Sequence, residues 1–247
     1  MKRLLAIAAT LLVFSAQAKA AEPCSDMVYG GAFPQAHEPV TLICHKRYVV
    51  GFSTLRHTPL WVAEKLTAQE VASENVPRKD DFRPDPAVPE NEQGSVKAYV
   101  GTGFDKGHMN NYEDVADDAV AGDESFFMTN MVPQKAQNNR GIWRSLEDRV
   151  RKLAKEKTYV YVVTGPIFDG KVVTLKDGTP IPTRLFKVAI SPLTGEAVTV
   201  LMPNANGMPA STLPRYVVTL QTLKQADALV DVVPNDPKLK DIPALPQ

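Results

Sequence analysis

Cysteine is nearly absent from this chain. Of its 247 residues only Cys24 and Cys44 carry sulfhydryl sulfur, and both stand near the beginning. Histidine is almost as scarce: His37, His45, His57 and His108 are scattered, with no ligand-like spacing. A zinc site, which needs about four such ligands at close intervals, is therefore poorly supported. No stretch approaches the roughly 18 consecutive apolar residues of a membrane-spanning helix. A soluble mature protein is expected, with no membrane partner. No internal repeat or low-complexity tract occurs, so nothing points to a stacked-repeat architecture. An excess of positive charge is missing as well, since 28 Lys and Arg balance 28 Asp and Glu. Any site for a polyanion must then be a local patch.

The beginning of the chain has its own logic. Lys2 and Arg3 precede an apolar run from Leu4 to Phe14, and Ala18-Lys19-Ala20 forms a small-x-small cleavage site. That is the pattern of a signal peptide over residues 1–20, too short for an anchor. Export to a periplasm or to the medium is expected. Without Lys2, Arg3 and Lys19 the rest holds 25 basic and 28 acidic residues, a net of about −3. In an exported chain an even pair of cysteines reads first as a disulfide, with two free thiols as the alternative. Closing a loop of about 20 residues stabilises by roughly 3 kcal/mol in the chain-entropy picture.

The remainder reads as one large domain over 21–232, followed by an extended tail, 233–247, holding four prolines. Strands are expected at 42–53, from 59, at 96–100, 125–128, 158–164, 172–175, 185–190 and 197–202. Residues 78–92, with three prolines and many charges, form a surface loop long enough to be functional. Residues 113–124 read as an acidic, solvated loop without the order of an EF-hand. From Asn139, the residues Ile142, Leu146, Val150 and Leu153 recur at helical spacing as far as Lys157. Residues 214–229 allow a strand and a terminal helix. Strands come in neighbouring runs, so the fold class is α+β, with a central, largely antiparallel sheet flanked by helices.

Two stretches are dense in functional groups. One is Asp105-Lys106-Gly107-His108. The other runs from Asn130 through Pro133, Gln134, Asn139, Arg140 and Trp143 to Glu147. A third, Arg78-Lys79-Asp80-Asp81-Phe82-Arg83-Pro84-Asp85, lies upstream. In order and spacing these motifs resemble the DNA/RNA non-specific endonuclease family, whose active site is a ββα-metal motif. The resemblance covers roughly residues 48 to the 220s. It departs at Lys106, where the family usually has Arg, and at Asn111, where many relatives have Pro.

The resemblance implies a magnesium-dependent endonuclease acting on DNA and RNA and leaving 5′-phosphate ends, with Mn²⁺ or another divalent ion able to substitute. It makes Asn139 the direct metal ligand and Arg78 the stabiliser of transition-state charge. The chemistry agrees, because phosphodiester hydrolysis needs an activated water, charge neutralisation and help for the leaving oxygen. An imidazole titrates near neutral pH, which suits His108 to the general base. Taken alone, His108 would be a hydrogen-bonded structural residue, and Asn139 a helix N-cap. Glu147 lies about 80° around a regular helix from Asn139, which points to action through water on the ion or to support behind it. Its plain alternative is an exposed helix glutamate paired with Arg144 or Arg151.

Asn130 and Gln134 are expected to orient the loop or the waters of the metal. Asp105, Lys106 and Arg140 join them around the substrate. Arg83 reads as a partner for Asp85, and Trp143 as a core anchor. Residues 134–157 carry eight basic side chains against three acidic ones, a stretch that can track a phosphate backbone. Phosphate contacts carry no sequence information, so low specificity is expected. Two rivals stand beside this reading: a narrower phosphodiesterase on the same scaffold, and a nucleic-acid-binding protein whose site has degenerated. The sequence names no inhibitor protein and no oligomeric state.

Overall fold

Runs of β-branched and aromatic residues, apolar on both faces, dictate a sheet covered on both sides. In Tyr48–Ser53 every residue is buried, and in Thr58–Thr67 every residue as far as Glu64. The computed structural model describes residues 22–226, 229–234 and 236–246. The signal peptide expected at 1–20 lies outside the described residues.

In chain order the strands that matter are β1 (Thr41–Cys44), β2 (Tyr48–Ser53), β3 (Thr58–Thr67), β4 (Phe104–His108), β5 (Met131–Lys135), β6 (Tyr159–Ile167), β7 (Arg184–Ser191), β8 (Glu196–Pro203), β9 (Val217–Val218) and β10 (Lys240–Asp241). The helices are α1 (Ala68–Ala72), α2 (Tyr112–Val115), α3 (Ala119–Glu124), α4 (Arg144–Lys157) and α5 (Leu220–Ala226). An eight-stranded sheet runs β9-β8-β7-β6-β3-β2-β1, all antiparallel, with β10 parallel beside β8. Strands β4 and β5 form a separate antiparallel ribbon. The fold is thus α+β around a largely antiparallel sheet.

Two cores result. On one face Val50, Val62, Val162 and Ala189 meet Trp143, Leu146, Val150 and Leu153 of the helical segment. Trp143 is fully buried, the core anchor its spacing predicted. Each such side chain stabilises by about 1.5–3 kcal/mol on burial. On the other face Val49, Trp61, Val163 and Val188 are covered by Val28, Leu223 and Val230. Cys24 and Cys44 are disulfide-bonded, with Cα atoms 5.9 Å apart, tying the first described residues to β1.

The structure differs from sequence expectation in local detail. Residues 96–99 form a 3-10 turn, not a strand, with Ser95 accepting from Lys97 N. Residues 125–128 hold no strand, only an isolated bridge from Phe127 to Arg83 and the start of a 3-10 turn, Met128–Asn130. The acidic segment is not a solvated loop: it folds into α2 and α3, capped by Asn111 and Asp118. Asp117 and Asp118 pair with Arg47 and Lys46, and Asp114 is buried. Near the end of the chain, β10 joins the sheet and Leu245 is buried, while Arg149 donates to the Pro246 carbonyl.

Candidate active site

The ribbon β4–β5 places the chemistry by register. Asp105 stands opposite Gln134, Gly107 opposite Val132, and His108 opposite Met131. Gly107 is required by space, because a Cβ there would lie 2.2 Å from Gln134 Oε1. Gln134 in turn donates to Asn138 Oδ1 at 2.7 Å, fastening the ribbon to the turn that starts the helix. Asn130 donates to the carbonyls of Asn110 and Ser125 and accepts from Asn110 N. Both side chains are fully buried and outside the cleft. Their hydrogen bonds brace the loop and the turn that follows the ribbon.

The segment after β5 is not a plain α-helix. Residues 138–143 wind as a π-turn before α4 begins. Asn139 therefore is no N-cap: it sits inside the helical segment. The wider π-turn also takes up the angular offset that a regular helix would put between Asn139 and Glu147. Both now line one cleft of about 650 Å³, together with Arg78, Asp105, Lys106, His108 and Arg140. Glu147 is buried at 4 % exposure, not an exposed glutamate paired with Arg144 or Arg151.

His108 is 8 % exposed at the inner wall. Burial, reinforced by the Arg78 and Lys106 charges and opposed by Asp80, pushes its pKa down to about 3. Its Nε2 has no hydrogen-bond partner among the described residues. A neutral ring with an open nitrogen can accept a proton, but in the metal- and substrate-free protein burial moves it well below the near-neutral titration expected from the sequence. The ring meets Phe126 edge-on at 5.2 Å and lies 5.6 Å from Phe82. Arg78 sits over Phe126 and Tyr112 at 5.2 and 5.4 Å, and its Nε donates to Asp80 at 2.8 Å. The Lys106 ammonium lies 4.5 Å from the Phe82 centroid and makes no ion pair among the described residues. Two cations thus flank one neutral base, an arrangement suited to an anionic substrate.

Three residues earlier on the same strand, Asp105 organises two neighbours. Its Oδ2 accepts from Asn139 Nδ2 at 2.9 Å, and Arg140 grips both oxygens at 2.8 and 2.6 Å. Burial opposes ionisation, but these bonds and Lys106 hold the Asp105 carboxyl below the usual range. Because the Asn139 nitrogen faces Asp105, its Oδ1 is left for a cation. Among the described residues no three His, Cys, Asp or Glu side chains converge as a metal cage. One amide oxygen, a nearby carboxylate and otherwise solvent and substrate oxygens suit magnesium, which keeps most of its waters.

Several expectations needed correction. Arg83 does not pair with Asp85; it binds Asp123 and Asp81. Asp85 is buried, with His45 Nε2 3.1 Å away. Much of the basic run is engaged elsewhere: Arg151 bridges Glu113, Asp114 and Asp148, and Lys157 pairs with Glu196. Only Arg140 and Arg144 of that run line the cleft. Sequence reasoning left Phe82, Phe126 and Tyr112 without a role. Phe82 stands inside a quoted motif and could have been found; Phe126 and Tyr112 carry no local signal.

A histidine-bearing ribbon packed on a helix that offers Asn and Glu to a charged cleft defines the ββα class of nuclease folds. The chain belongs to the DNA/RNA non-specific endonuclease family, which matches it over residues 30–236. It is 33% identical over 202 residues to the human (Homo sapiens) mitochondrial endonuclease G, covering 76% of this chain and 68% of that protein. To a nuclease of Nostoc sp. it is 30% identical over 216 residues, 85% and 69% of the two chains. A mitochondrial nuclease EXOG of Danio rerio is 34% identical over 158 residues, and there the match spans only 46% of the relative. Among solved structures it is similar to the EndoG/EndoGI complex, described for the mechanism of EndoG inhibition. The TM-score is 0.73 at 28% identity, over 83% of this chain and 92% of the other.

Proposed function

We propose that the protein is an exported, divalent-metal-dependent endonuclease that hydrolyses DNA and RNA with little sequence preference. The observation that carries this reading is the buried His108, with an unpartnered Nε2, in one cleft with Arg78, Asn139 and Glu147. His108 takes the proton of the attacking water as its oxygen bonds to phosphorus. The bond from phosphorus to the 3′ oxygen breaks, that oxygen takes a proton from solvent, and the phosphate stays on the 5′ side. Arg78 and Lys106 balance the charge that grows on the phosphoryl oxygens. Asn139 Oδ1 would hold magnesium, or manganese or another divalent ion in its stead, with Glu147 close by. When bound, such an ion neutralises phosphoryl charge and eases departure of the leaving oxygen. Asp105 keeps Asn139 aimed and Arg140 at the rim.

Low specificity is supported by a cleft whose charged groups suit phosphates, which carry no base identity. Export is supported by the leader-like beginning and by the cysteine pair, since disulfides persist in oxidising compartments. The test is incubation of the mature chain with supercoiled DNA, single-stranded DNA and RNA, with magnesium and with a chelator. Cleavage of all three, abolished by chelation, is expected. Cutting of one form alone would favour the narrower phosphodiesterase, and no cutting under any condition would overturn the reading.

A further inference from the structure

The ribbon β4–β5 carries a cation that the mechanism above does not use. In an antiparallel pair, residues two apart and residues directly opposite share a face. Phe104, Lys106 and His108 therefore share one face with Met131, Pro133 and Lys135. The other face turns Gly107, Val132 and Gln134 inward, where all three are buried or packed too closely for a Cβ. Read along the first face, the order is His108, then Lys106, then Phe104 with Lys135 directly across from it.

Lys135 is half-buried, and its ammonium lies 4.1 Å from the Phe104 ring centroid. Phe104 lines the cleft and packs in one aromatic shelf with Phe82 and Tyr99, on which the Lys106 ammonium rests. A ring face places an ammonium without neutralising it. Lys135 makes no ion pair among the described residues. Its backbone is fixed as well: Lys135 N donates to Asn204 Oδ1 at 2.8 Å, and Asn204 Nδ2 donates to the carbonyls of Pro133 and Pro182 at 2.9 Å. Later lysines of the basic run are placed differently. Lys157 is paired with Glu196, and Lys152 and Lys155 stand on α4 in a groove shared with Glu113 and Asp148.

Antiparallel strands rise about 3.4 Å per residue, which puts Phe104 and Lys135 about 14 Å along the ribbon from His108, with Lys106 halfway. One phosphodiester cannot reach both ends of that row, whereas a strand of nucleotides presents a phosphate at each step. We infer that Lys135 binds a phosphate of the nucleic-acid strand other than the one being cut. The strand then follows β4 from His108 past Lys106 to Lys135. This rests on the functional reading above. The contact is to backbone alone and reads no base.

The experiment measures kcat/KM across a range of salt concentrations for the wild type, Lys135→Met, Lys135→Arg and Lys155→Met. Two substrates are used: a single-stranded oligonucleotide, and bis(p-nitrophenyl) phosphate, a diester with one phosphate only. Methionine keeps an apolar stem over Phe104 and removes the charge; Lys135→Gln, also uncharged, serves should the methionine variant not fold. On the oligonucleotide Lys135→Met should lose about 10-fold at low salt, the scale of one charge-assisted contact. Its slope of log kcat/KM against log salt should be shallower by about 0.7, the share of one phosphate on a single strand. Its cleavage of the small diester should equal that of wild type. Lys135→Arg should match wild type on both substrates, and Lys155→Met should keep the wild-type slope. An unchanged slope in Lys135→Met, or equal losses on the two substrates, would overturn the inference. So would an equal change of slope in Lys155→Met, since net charge alone would then account for it. Where the wild type cuts the oligonucleotide but not the small diester, the slopes alone decide. A wild type that cuts neither would instead sink the nuclease reading itself.

Discussion

The Asn139 amide nitrogen donates to the Asp105 carboxylate at 2.9 Å, across the gap between the ribbon and the π-turn. This bond decides which end of the amide faces the cleft. Replacing Asp105 by Ala frees both Asn139 and Arg140. The magnesium concentration for half-maximal cleavage should rise by about 10–100-fold, as for loss of a group that orients a ligand. Arg140→Ala, which leaves the Asn139 bond in place, should shift it far less. Equal shifts in the two variants would contradict the assignment.

Gly107 faces Gln134 so closely that even a methyl group collides with backbone-anchored atoms. Gly107→Ala should destabilise by about 1–3 kcal/mol, the usual cost of overpacking. Denaturant midpoints measure this, and an unchanged midpoint would show that the ribbon has room the structure lacks.

Two buried groups give opposite pH signatures in the metal-free protein. His108 is pushed down from 6.5 to about 3, chiefly by burial and then by Arg78. Its contribution to stability is present above pH 6.5 and is lost as pH falls toward 3. Glu147 is pushed up from 4.5 to about 7, chiefly by burial. Its contribution is present below pH 4.5 and is lost as pH rises through 7. Thermal melts in chelator should show a shallower acid-side loss for His108→Ala and a shallower loss between pH 4.5 and 7 for Glu147→Gln. Curves that run parallel to wild type would refute both shifts.

Much of this site was legible because its motifs are contiguous. Asp105 to His108 form one strand and Asn139 to Glu147 one helical segment, but it was the resemblance to a known family, not spacing, that joined the two stretches to each other and to Arg78. The π-turn was not legible, since an i→i+5 turn leaves the apolar period of Ile142, Leu146 and Val150 almost intact. Residues 96–99 read as a strand from β-branched and aromatic content, yet the Ser95 cap and short length gave a 3-10 turn. The acidic segment folded because Arg47 and Lys46, some 70 residues earlier, neutralise it. Lys187 falls within the strand expected at 185–190, and nothing in that local pattern signals that its ammonium is buried and bonded to Thr164 across the sheet.

Lys106 is where this chain departs from the arginine usual in its relatives. Its ammonium rests over Phe82 and Tyr99, at 4.5 and 5.7 Å, without a carboxylate partner. A guanidinium there keeps the charge and adds a planar fork for phosphate. Lys106→Arg should keep or raise kcat/KM, while Lys106→Ala should lower it about 10-fold, close to one charge-assisted contact. Equal values for all three proteins would remove Lys106 from the mechanism.

The central claim is that His108 moves the proton and Asn139 holds the ion, so the two should fail differently. The decisive measurement is a magnesium titration of cleavage by folded His108→Ala and Asn139→Ala, with and without added imidazole. His108→Ala should lose about 10²–10⁴-fold in turnover, the share of a general base. It should keep the wild-type magnesium midpoint and regain part of the rate with imidazole. Asn139→Ala should need far more magnesium, and imidazole should not help. Full turnover in His108→Ala, or a wild-type magnesium midpoint in Asn139→Ala, would contradict the account.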